Sequence, residues 1–150
     1  MTKFVPHGRI NLRLWSDETP LREFANTTSL VAKHIQEKNA PVKLANGKIR
    51  ASKASRHYLS FESNDLNDAD EANLRIREIL DALRGTELAR LIASGAVDAE
   101  IDLAAFHGDV DWEAQLDPRL VAAARAANIR MVVERYDKFT DKGAPLAVRL

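Results

Sequence analysis

A chain of 150 residues is the size of one domain and can bury roughly 68–70% of the surface its unfolded form exposes. Its 45% hydrophobic and 29% charged residues are a globular composition, and the lack of cysteine excludes disulfides, thiolate metal sites and a cysteine nucleophile. Lys plus Arg and Asp plus Glu both number 22, and this zero net charge removes the general electrostatic case for nucleic-acid binding.

Residues 1–6 read MTKFVP, without the apolar run of a secretory signal. No stretch approaches the ~20 apolar residues of a membrane helix, so a cytoplasmic protein without membrane contact is expected. Period-two alternation marks the first strand, with Ile10, Leu12 and Leu14 on one side and Arg9, Asn11, Arg13 and Trp15 on the other. Thr19-Pro20 has the form of a helix start, a capping hydroxyl before proline, and Leu21, Phe24 and Ala25 follow at helical spacing. Residues 29–55 hold no lasting period and read as a long loop, pinched into a hairpin at Asn46-Gly47.

His57, Leu59 and Phe61 alternate with Tyr58, Ser60 and Glu62 as a second strand. Asp68 and Glu71 have capping-box spacing, and Ile76, Ile79, Leu80 and Leu83 then share one helical face. Gly85-Thr86 interrupts that pattern, and Leu88, Leu91 and Ile92 resume it until Gly95 stops the helix. In the third strand Val97, Ala99, Ile101, Leu103 and Ala105 alternate with Asp98, Glu100 and Asp102, so a slip of one residue would bury three carboxylates. Asp117-Pro118 opens another helix with Leu120, Ala123, Ala124 and Ala127 inward and Asn128 as its stop. Ile129, Met131 and Val133 form the inward face of a closing strand.

This order implies an α+β protein, an α/β sandwich whose single sheet of about four strands is covered on one face by helices, ferredoxin-like or related. One domain is expected over residues 1–150, with its core over about 9–136 and a loosely attached tail over 137–150. The opposite sheet face should display Arg13, Trp15, Tyr58, Glu62, Asp98, Glu100, Asp102, Arg130 and Glu134.

The segments INLRLWS (10–16), ANGKIRASKAS (45–55) and HYLSFES (57–63), the short helix ending near Thr28-Ser29-Leu30, the acidic alternating strand and the Asp-Pro helix have a collective pattern. From Ile10 to Tyr136 it resembles the small bacterial family described as domain of unknown function 4279, with Tyr58 where that family is expected to carry tryptophan. The resemblance implies a fold and carries no activity onto particular residues.

Three segments offer chemistry. His107, Asp109 and Asp111 alternate within Phe106–Trp112 and could present one imidazole and two carboxylates to a divalent metal; the bland alternative is a polar connection with Phe106 and Trp112 tucked into the core. The acidic run 64–71 lacks the glycine and glutamate positions of a calcium loop and reads as a solvated lead into a helix. Lys33, Lys38, Lys43, Lys48, Arg50 and Lys53 against Glu37 make the one charge asymmetry of the chain.

His34 is expected in that basic loop, His57 on an inward or edge position, and His7 near the terminus; none lies in a nucleophile motif. Trp15 and Tyr58 share outward parity among mixed charges, as interface anchors do, and a homodimer could also cover them. The expected function is a non-catalytic protein-binding module, in the style of an immunity protein, using Trp15, Tyr58, Lys43, Lys48 and Arg50 without a cofactor. The alternative is a metal-dependent enzyme using His107, Asp109 and Asp111.

Overall fold

The computed structural model describes residues 7–44, 46–50, 53–106, 111–135 and 146–150. The long first strand, β1 (Gly8–Ser16), keeps its alternation: Ile10, Leu12 and Leu14 are buried while Arg9, Asn11, Arg13 and Trp15 face the other side. Thr19-Pro20 does not open an α-helix. Ser16 Oγ accepts the Thr19 N–H at 2.8 Å instead, and a short 3-10 helix forms over Arg22–Asn26, burying Phe24 and Ala25.

The segment expected to be an unstructured loop contains a strand, β2 (Ala32–Gln36), antiparallel to β3 (His57–Phe61). Between them the chain forms a hairpin-like arm. Asn39 N–H donates to Ala54 O, Arg50 N–H to Val42 O and Leu44 N–H to Lys48 O, at 2.7–2.8 Å, with Asn46-Gly47 at the turn. A three-residue strand, β4 (Asn64–Leu66), follows β3 and pairs with the start of β1.

The Asp68 carboxylate caps α1 (Ala69–Leu83) by accepting the Glu71 N–H at 2.9 Å, while Glu71 reaches back to the Asn67 N–H. A break after Leu83 starts α2 (Glu87–Ser94), capped by Thr86. The strand β5 (Asp98–Ala105) lies antiparallel to β1 along its whole length. Two helices, α3 (Trp112–Gln115) and α4 (Pro118–Ala126), carry the chain across to β6 (Ile129–Arg135), which is parallel to β5. Asn128, at φ 63°, ends α4, and its Nδ2 donates to Ile92 O at 3.0 Å, tying α4 to α2.

The last strand, β7 (Leu146–Arg149), pairs antiparallel with β6, and Leu150 N–H donates to Met131 O at 3.0 Å. The end of the chain is therefore bonded to the sheet, and β7 forms that edge of it. Residues 136–145, including Tyr136, lie outside the described residues.

The fold is α+β with one open sheet ordered β2-β3-β1-β5-β6-β7, and β4 beside β3 on the same edge of β1. The expectation of about four strands is corrected by β2, β4 and β7, each too short or too irregular to carry its own alternation. Ile101, Leu103, Met131, Val133, Leu59 and Phe61 join the β1 residues in one apolar face, sealed by Ile76, Leu88, Ile92 and Ala124 from the helices. Ala123, expected inward, is exposed on α4.

Candidate functional site

The open sheet face carries two clusters. At one end, Trp15 and Tyr58 are directly opposite residues of β1 and β3, with ring centroids 5.5 Å apart and planes tilted by 44°. Cross-strand aromatic pairs of this geometry favour each other by about 0.5–1.5 kcal/mol beyond their buried area. The arm between β2 and β3 folds back beside them, so that Lys43 and Arg50 line the same cleft of about 480 Å³ as the two rings. Four of the five residues expected to form a binding surface are thus brought together. The fifth, Lys48, is exposed near the arm's turn, where its N–H donates to Asn46 Oδ1 at 3.0 Å, and it does not line the cleft.

Local structure accounts for each position. β2 places His34 opposite Ser60 and Gln36 opposite Tyr58, and both residues join the cleft wall. His34 is therefore on a strand, not in a loop. Arg56, just before β3, bridges Asp17 at 2.8 Å and Asp98 at 2.7 Å, and the Asp98 bond above all holds its guanidinium pKa above the ordinary value. Its charge is thus compensated within the cleft. Lys43 makes no ion pair among the described residues, and Glu37, the one acid of the basic run, is engaged by Arg22 at 2.9 Å. The arm also carries exposed apolar residues: Ile49 is 69% and Leu44 42% accessible. A cationic arm with apolar patches over an aromatic floor can hold an acidic surface by charge and its apolar neighbours by contact.

His57 is half-buried, and its Nδ1 accepts the Lys38 N–H at 3.2 Å, which anchors the base of the arm. His7 contributes its carbonyl to the Phe106 N–H at 2.8 Å. His107 and Asp109 lie outside the described residues, and Asp111 is occupied as the cap of α3, accepting the Ala114 N–H at 3.2 Å. Among the described residues no three His, Asp or Glu side chains converge at metal distance. Trp112 is wholly buried, and Arg9 lies over the half-buried Phe106 ring at 5.6 Å. Within the acidic run Asp65 pairs with Arg9, Asp68 caps α1 and Glu71 accepts the Asn67 N–H.

The second cluster lies nearer the middle of the face. Asp102, expected outward and solvated, is only 4% exposed. It sits opposite Asn11 on β1 and Val132 on β6, and Arg13 reaches its Oδ2 at 3.2 Å. Burial pushes its carboxyl pKa up to about 6; Arg13 opposes that shift, and the nearby Glu134 and Glu100 add to it.

No known family, curated protein or solved structure matches this chain. Among the described residues no helix is long and apolar enough to cross a membrane.

Proposed function

We propose that this protein is a non-catalytic binding module that engages an acidic surface of another protein through the arm and the Trp15–Tyr58 floor. The observation that carries the reading is the meeting of Trp15, Tyr58, Lys43 and Arg50, distant in sequence, around one cleft. Buried aromatic and arginine anchors dominate protein interfaces, while lysines at the rim steer association. A cytoplasmic location and an inhibitory, immunity-like role belong to this reading. So does kinship with the domain of unknown function 4279 family and with ferredoxin-like sandwiches, which rests on element order and a one-sided helical layer.

The test is quantitative capture with tagged wild type, a Lys43→Glu/Arg50→Glu variant and a tag-only control, all verified as folded by circular dichroism. A stoichiometric acidic protein retained by wild type and lost by the variant at 0.15 M salt supports the site. Equal retention by both proteins removes the arm from it, and a blank with wild type counts against stable protein binding.

A further inference from the structure

A second cavity lies on the other side of the sheet, in the helical layer, and has a different chemistry. The break between α1 and α2 falls at Gly85, whose left-handed φ of +72° suits glycine, and residues of both helices line a cleft together with α4. The facing side of α4 presents Ala123 and Ala127, too short to fill the space. What remains is an apolar cleft of about 420 Å³ floored by Leu83, Ile92, Leu120 and Ile129. That volume is within the range of small-molecule sites, which pair an apolar lining with a few polar groups at one end.

The polar groups here are on α1 and at its C-terminal cap. Arg84 Nη2 pairs with Asp81 at 2.9 Å, and Arg77, one turn before Asp81, has no ion pair among the described residues. The mouth of an apolar cleft therefore carries one uncompensated guanidinium, whose planar fork matches a carboxylate. We propose that this cleft binds a small amphiphile, a medium-length aliphatic chain ending in a carboxylate, with the chain between α1, α2 and α4 and the head at Arg77. The site is separate from the arm, so it stands or falls independently of the binding-module reading.

The probe is sodium decanoate below its micellar concentration, followed by backbone amide chemical shifts of the full chain, with decan-1-ol as the uncharged comparison. Saturable shifts confined to residues such as Leu80, Ile92 and Ala127 are expected. Ala123→Leu, on an exposed helical position where leucine is well tolerated, fills the cleft and should weaken both probes about tenfold or more. Arg77→Gln should weaken decanoate several-fold and leave decan-1-ol unchanged. Non-saturable or scattered shifts, or full decanoate affinity in Ala123→Leu, would overturn the site. Equal effects of Arg77→Gln on both probes would overturn the carboxylate head. Cleft shifts that instead follow protein concentration, with a dimer in sedimentation, would assign the cleft to a second copy and also overturn the proposal.

Discussion

Arg13 and Asp102 meet across β1 and β5 on the open sheet face, with Arg13 Nη2 3.2 Å from Asp102 Oδ2. The pair is lopsided: the arginine side chain is 33% exposed and the carboxylate 5%. Asp102 Oδ1 is buried with no hydrogen-bond partner among the described residues. One guanidinium reached from the side does not replace the water that a carboxylate loses on burial. Asp102 is therefore a site where the fold works against its own charge.

That imbalance predicts a pH dependence. The folded-state pKa of about 6 exceeds the ordinary 3.8, so between these values the folded protein holds a proton that the unfolded chain has released. The stability linked to Asp102 is fully present below the ordinary value and is lost as pH rises through about 6, a change on the order of 3 kcal/mol. Asp102→Asn should flatten this part of the profile and exceed wild type in stability at pH 7.5. Urea unfolding of both proteins at pH 4.5, 6 and 7.5 checks it; a variant less stable than wild type at pH 7.5 refutes the burial account.

The parity of β5 is tested one residue earlier. Ile101 is fully buried against the helices, opposite Leu12 and Met131 on the neighbouring strands. Ile101→Asp puts an unpaired carboxylate there and should cost several kcal/mol, on the order of 4 or more. Loss of the folded circular-dichroism signal is expected at pH 7.5. A soluble variant with unchanged melting temperature would mean that Ile101 does not face the core.

The parts of this fold legible in sequence are those whose residues carry their own signal. In β5 every second residue is apolar, and Asp68 and Asp117-Pro118 announce their helices by side chains that cap them locally. β2 carries no such signal, because Ile35 is its one large apolar residue and a register irregularity between Ala32 and His34 breaks the alternation. Of the site, the shared parity of Trp15 and Tyr58 was visible, but the approach of Lys43 and Arg50 depends on the Asn39–Ala54 and Val42–Arg50 backbone pairs of the arm. His34 joins the cleft through the β2–β3 pairing, and Arg56 lines it while bridging Asp17 and Asp98. Ala123 misleads for a simple reason: alanine suits a core and an exposed helix face equally.

The Trp15–Tyr58 contact predicts a measurable coupling. Each ring is half-buried, so either truncation loses packing with the other, and Tyr58→Ala should cost about 1–2 kcal/mol of stability. Tyr58→Phe keeps the ring and should lie within about 0.5 kcal/mol of wild type. A double-mutant cycle with Trp15→Ala, read by urea unfolding, should give a coupling of about 0.5–1.5 kcal/mol. Strict additivity would show that the rings do not act as a pair.

Gly8 sets a tighter limit at the other end of β1. A Cβ there would stand 2.7 Å from Ala104 O and 3.3 Å from Trp112 Cζ2. Neither neighbour can yield easily. Ala104 lies within the β1–β5 ladder, and Trp112 is wholly buried. Replacing glycine by alanine stiffens the unfolded chain, which alone would add about 0.4–1 kcal/mol of stability. Overpacking a filled site typically costs about 1–3 kcal/mol, so the clash should win. Gly8→Ala is expected to lower the urea midpoint with an unchanged slope, by a net of about 1–2 kcal/mol. A midpoint at or above that of wild type would mean that β1 and α3 do not approach as closely as this, and that Trp112 can move away from the strand.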